Sequence, residues 1–173
     1  MSNYKRLIPC ILIEDGKAVS WFNDKTILSE DVVSLAKEYN DQGADELLIM
    51  DLSESDEDHE MTLDLLRKIN RVVHIPVVAG GNVKRLEDVK KILYSGAKRA
   101  IINFSRSDSE KMIMESAQRF GKEKIAVSIN DFDTLFKNRD TVHEYCSEIV
   151  FMHRVDWNSV MSVTDTPCVV LTD

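Results

Sequence analysis

Cysteine is scarce in this 173-residue chain, with only Cys10, Cys146 and Cys168. The number is odd, the three are far apart, and none forms a CxxC pair. That excludes a disulfide framework and points to a reducing, cytoplasmic setting, with Cys10 as a small core residue. Long apolar runs are missing too. None approaches the roughly 20 residues that span a bilayer, and residues 1–6 show no signal-peptide pattern. Positive charge is in deficit: 22 Lys and Arg stand against 30 Asp and Glu, for a net charge of -8. That balance argues against non-specific nucleic-acid binding.

What is present is a regular alternation of apolar strands and helices. Residues 7–13 form a compact apolar run that stops at Glu14-Asp15-Gly16. Ser29 reads as a helix N-cap, with Glu30 and Asp31 in the first turn facing the helix dipole. Val32, Val33, Leu35, Ala36 and Tyr39 then repeat at helical spacing up to a stop at Gly43. Further strands read at 47–52, 75–79, 100–103, 125–129, 148–152 and 168–171. The second helix is marked by Met61, Leu65, Leu66 and Ile69. Others read at 86–94 and 111–120, with a weak one near 141–145 and a short one near 157–163.

Nearly continuous apolar strands alternating with helices specify an α/β fold with a parallel sheet buried on both faces. Residues 42–50 echo residues 95–103, each a helix stop, a short turn and a strand. That repetition favours a TIM-type (β/α) barrel over a doubly wound sheet, although a flavodoxin-like sheet stays open on length alone. About seven parallel strands are counted, where a closed barrel has eight and roughly 250 residues. The expectation is one shortened or incomplete barrel domain over residues 1–173.

The most informative stretch runs from His74 to Val83 and ends its apolar strand in Gly80-Gly81-Asn82. Adjacent glycines between a buried strand and a helix expose backbone N–H groups, which suits an anion such as phosphate.

The residues carry a family resemblance. Lys5 to Cys10, followed by Glu14 to Val19, resembles the opening of the cyclase subunit of imidazole glycerol phosphate synthase, a histidine-biosynthesis lyase. Residues 35–47 resemble its first helix and second strand. Ile75 to Gly81 resembles its third strand and phosphate loop, and Arg119-Phe120-Gly121 the end of its fourth helix. The resemblance is continuous to about Asn130 and faint beyond.

The resemblance implies two catalytic aspartates, a general base and a general acid. Their positions hold Leu12 and Asn130, neither of which transfers a proton in the useful range. Asp51 and Asp131 are the remaining catalytic candidates. Asp51 matches a family aspartate, with a capping or loop role as the competing reading. Asp131 would need a one-residue shift in register, which reverses its facing. The implied phosphate contacts are Gly80, Gly81, Asn82 and Asn103. Phe104 stands where the family has threonine, and its ring would crowd an anion. Arg6, Glu46 and Arg99 match a charged ring that in the family faces a glutaminase, and a salt-bridged plug is the stronger reading here.

The acidic run Glu54 to Glu60 lacks EF-hand spacing and reads as a solvated entry to a helix. His59, His74, His143 and His153 show no ligand spacing, so no metal site is expected. No cofactor is expected either. Trp21 and Trp157 read as packing or loop residues.

The leading expectation is a degenerate cyclase-like domain of histidine biosynthesis without lyase activity. It would serve as a structural or assembly module, or bind a phosphorylated ribose-type ligand. The alternative is an active lyase or isomerase on a phosphorylated sugar, using Asp15, Asp51 or Asp131. Residues 166–173 end on a strand with nothing after it. Such an edge needs cover, either from a second copy or from a fused histidine-pathway domain. By resemblance, that domain would be phosphoribosyl-AMP cyclohydrolase or phosphoribosyl-ATP pyrophosphatase.

Overall fold

The computed structural model describes residues 5–172. The targeting reading of residues 1–6 falls mostly outside them, as does Asp173. The chain divides into two compact units. The first runs to Asn82 and includes Lys91–Lys98, and the second comprises Val83–Lys90 and everything from Arg99 onward.

The first unit holds β1 (Cys10–Glu14), β2 (Lys17–Trp21), β3 (Asp24–Ser29), α1 (Val32–Asp41), β4 (Leu47–Asp51), α2 (Asp56–Val72) and β5 (Val77–Gly80). Its strand order is β3-β2-β1-β4-β5. β1 and β4 are parallel with Leu12 opposite Met50, and β4 and β5 are parallel with Met50 opposite Gly80. Every residue of β4 is buried, as expected for a parallel strand covered on both faces. From α2 the apolar residues Leu63, Leu66 and Ile69 complete this core. Met61, one of the residues that marked this helix in the sequence, is exposed, because the buried stripe runs through His59, Thr62, Leu63 and Leu66.

Helix α3 (Leu86–Tyr94) follows. The second unit then holds β6 (Arg99–Asn103), α4 (Ser109–Phe120), a 3₁₀ turn (Lys122–Lys124), β7 (Ile125–Ile129), α5 (Phe132–Tyr145), β8 (Glu148–Phe151), α6 (Trp157–Met161) and β9 (Cys168–Val170). Its strands lie in the order β6-β7-β8-β9 and are all parallel. β7 is wholly buried, with Ile113 of α4 and Leu135 and Val142 of α5 among its unit's core.

Nine strands form among the described residues, against about seven expected. Each expected strand segment contains one. The extra two, β2 and β3, make an antiparallel extension of β1 through a two-residue turn at Asp15-Gly16. Asp-Gly between strand-forming residues is a strong hairpin signal, and the stop at Gly16 concealed it. The hairpin also displaces the expected helix start. Ser29 ends β3, and the N-cap is Asp31, whose carboxylate accepts from Ser34 N at 2.9 Å. The helix expected near residues 141–145 starts much earlier, because Asp131 caps it from Phe132. Among the described residues no helix is long and apolar enough to cross a membrane.

Candidate functional site

The C-terminal ends of β1, β4 and β5 bring together most of the residues singled out in the first unit. Neighbours in register on parallel strands face the same way, so Leu12 and Met50 share one face. Both are buried, at 2% and 5% exposure. Leu12 is therefore part of an apolar packing surface. Burying a leucine side chain there contributes about 1.5–3 kcal/mol.

Asp51 is next along β4 and faces the opposite way, toward α2. Its carboxylate is 6% exposed and fully engaged. Ser53 donates to Oδ1 from its backbone N at 2.9 Å and from its hydroxyl at 2.5 Å. On the other oxygen, His59 Nδ1 lies 2.5 Å from Oδ2. A carboxylate only accepts, so the ring proton sits on Nδ1 and is donated. These bonds offset the cost of withdrawing a carboxylate from water. Ser53 Oγ in turn accepts from Asn82 Nδ2 at 3.2 Å. Asp51 thus ties the loop at Ser53 to helix α2 at His59.

The glycine loop rests on the same strand end. Gly81 has φ +82, and a Cβ there would lie 2.1 Å from the backbone O of Asp51. Only glycine fits, because the obstruction is backbone. Asn82 follows at φ 52, a conformation that asparagine tolerates better than most residues. In the second unit, Asp88 accepts from Lys84 N at 3.0 Å and Arg85 N at 2.9 Å, so the start of α3 is capped by the protein's own carboxylate. An anion at this loop would have to use N–H groups upstream of Lys84.

The other candidates are described by their own surroundings. Asn103 ends β6 in the second unit, exposed, and its Oδ1 accepts from Ser105 N at 2.8 Å. Phe104 beside it is buried at 9% exposure. Asn130 is exposed. Asp131 caps α5, accepting from Thr134 N at 2.8 Å and from its hydroxyl at 3.1 Å. The Thr134 backbone bond, then its hydroxyl, hold the Asp131 carboxyl below the usual carboxylate range. That suits a helix cap that stays ionised near neutral pH. Asp15 lies exposed in the β1–β2 turn.

The acidic run opens α2, where Ser55 caps by accepting from Asp58 N at 3.1 Å and Asp56, Glu57 and Asp58 fill the first turn. Among the described residues no cluster of three or more His, Cys, Asp or Glu could hold a metal. Arg6 pairs with Glu46 at 3.1 Å in the first unit, and Arg99 with Glu148 at 3.1 Å in the second. Burial pushes the thiols of Cys10 and Cys146 up to about 12 and that of Cys168 to about 11, far from nucleophile territory.

Two cavities bear on ligand binding. One, of about 10 Å³, lies between Asp51, His59, Thr62 and Gly81. It has room for a single water and for no metabolite. The other, about 300 Å³, is lined by Lys122, His143, Cys146 and Asp165 in the second unit. It lies where the chain enters β7, β8 and β9, the end of parallel strands that ligands avoid.

His59 is the site residue that the sequence reading missed. Its signal was spacing: His59, Thr62, Leu63 and Leu66 recur at i, i+3, i+4 and i+7, the inward stripe of a helix.

Comparison with known proteins gives the chain a family. A family model described as "Histidine biosynthesis protein" matches residues 6–172. The chain is 35% identical over 127 residues to imidazole glycerol phosphate synthase subunit HisF of Alkaliphilus metalliredigens. It is 38% identical over 127 residues to the subunit of the same name from Clostridium botulinum, and 37% over 129 residues to that from Oceanobacillus iheyensis. Each alignment covers 73% of this chain and 50% of the relative. The chain thus spans about half the length of the curated relatives it matches.

Proposed function

The chain belongs to the histidine biosynthesis protein family, and on that premise we propose that it is a non-catalytic cyclase-like domain that binds a phosphorylated ribose-type ligand. The observation that carries the first half is Leu12, packed in register with Met50 where the cyclase family places an acid. A hydrocarbon in a closed apolar layer can neither give nor take a proton. Two of the candidate carboxylates are committed elsewhere, Asp131 to a helix cap and Asp51 to His59 and Ser53. The second half is supported by the loop Gly80-Gly81-Asn82, held in positive φ at Gly81 and Asn82 at the end of β5. In fold terms the reading is a (β/α) barrel of reduced length. Its cover would be a second copy or an associated histidine-pathway domain, and β3 offers an edge with Ile27 and Leu28 exposed.

Two measurements test this. The first is the thermal midpoint with ribose 5-phosphate, with inorganic phosphate, and with chloride at matched ionic strength. A ligand that binds only the folded state at 100 times its Kd adds about 2.7 kcal/mol. The expected result is a rise with the phosphorylated compounds alone, and no rise overturns the ligand reading. The second is turnover of the cyclase family's substrate with ammonia. None is expected, and detectable product refutes the non-catalytic reading.

A further inference from the structure

The hydrogen bonds around Asp51 have a direction. Ser53 has one hydroxyl proton, and it is spent on Asp51 Oδ1 at 2.5 Å. Its oxygen can therefore only accept from Asn82, so the NH₂ end of that amide faces Ser53. His59, on the first helical turns of α2, engages the other carboxylate oxygen. It thereby fixes the rotamer from which Oδ1 reaches Ser53. His59, Asp51 and Ser53 are all under 9% exposed, so water does not compete for these bonds. The chain ends on Asn82, at φ 52, in the loop that also needs Gly81 against the Asp51 backbone.

We propose that His59 is the positioning residue of the glycine loop. Acting through Asp51, Ser53 and Asn82, it locks Gly81 and Asn82 in the conformation that presents their N–H groups to an anion. The anion part rests on the ligand-binding reading above, whereas the ordering of the loop stands apart from it. His59 touches no ligand. It acts from the helix side of the sheet, and the 10 Å³ cavity beside it is too small for one.

The test uses the full chain, with hydrogen exchange at the Gly81 and Asn82 amides and the Kd for inorganic phosphate as readouts. His59→Leu removes the donor, His59→Asn restores an N–H near the Nδ1 position, and Ser53→Ala cuts the next link. Expected is at least tenfold faster exchange and at least fivefold weaker phosphate binding in His59→Leu. His59→Asn should return both to within twofold of the parent. Ser53→Ala should match His59→Leu, and combining the two should add nothing further. A merely structural histidine would not show this rescue and non-additivity. A folded His59→Leu with unchanged exchange overturns the proposal. Should His59→Leu fail to fold, unchanged exchange in Ser53→Ala overturns it instead. If the parent chain binds no phosphate, the ligand reading fails, while exchange still decides the role of His59.

Discussion

Replacing Gly81 with alanine tests how the glycine loop meets the sheet. Two costs arise. The first is conformational: φ +82 is a left-handed value, and a Cβ there costs about 1–2 kcal/mol. The second is steric. The new methyl would sit 2.1 Å from Asp51 O, 2.7 Å from its N and 2.9 Å from its C. These are strand atoms in a buried sheet, so relief needs a backbone shift, which costs roughly 1–3 kcal/mol. The sum is about 2–5 kcal/mol, against a typical domain stability of about 5–15 kcal/mol. For a chain of this size that lowers the melting temperature by about 4–20 °C. Gly43→Ala supplies the control. Gly43 has φ +87, and a Cβ there would meet nothing within 4 Å. It incurs the conformational cost alone, and any gain from stiffening the unfolded chain is common to both variants. The difference between the variants, read from urea midpoints at equal m-value, isolates the steric cost. If Gly81→Ala melts within 2 °C (an order-of-magnitude threshold, roughly 0.5–1 kcal/mol) of Gly43→Ala, the loop does not press on Asp51 and the packing argument fails.

Two further outcomes are expected. Asp131→Ala removes the cap of α5 and should cost about 0.5–2 kcal/mol, with Asp131→Asn much closer to the parent. Because the Asp131 carboxyl is held below its unfolded value, its contribution is complete above pH ~4 and fades as pH falls through the lower folded value. The stability gap between parent and Asp131→Ala should therefore narrow in acid. A gap that widens there contradicts the capping role. The three thiols, raised to about 11 or 12, should resist a thiol-reactive dye at pH 8 in the native protein and react promptly in urea. Rapid native labelling of Cys146 would contradict its burial.

Much of the architecture was legible because local rules and tertiary demands agree here. The run 125–129 is apolar but for Ser128, a near-continuous pattern that suits a strand covered on both faces, and β7 forms there with every residue buried. Leu86–Tyr94 was readable from its apolar spacing, and α3 has those bounds. The hairpin β2–β3 was not read, although Asp15-Gly16 announced it, because the same glycine also serves as a strand stop. Helix α5 was underestimated for a related reason. Its polar sequence, Phe132 to Tyr145, carries a weak apolar stripe, with only Leu135 and Val142 buried. The Asp131 cap defines its start more clearly than its hydrophobic pattern does.

At the candidate site the division is sharper. The sequence by itself determined that residues 12 and 130, to which the family resemblance assigns the two acids, are leucine and asparagine, and that Gly80-Gly81-Asn82 follows an apolar run. Side-chain identity and chain order are local facts and need no fold to read. Only the tertiary structure decided what Asp51 does. Strand period turns it away from the face of Leu12 and Met50, and α2 then brings His59 to within 2.5 Å of its carboxylate. It also decided why the glycine at 81 is required, since the Asp51 backbone that excludes a Cβ lies thirty residues away in sequence and in contact only because β4 and β5 pair in parallel. Such contacts arise from packing between segments distant along the chain, and no local pattern encodes them.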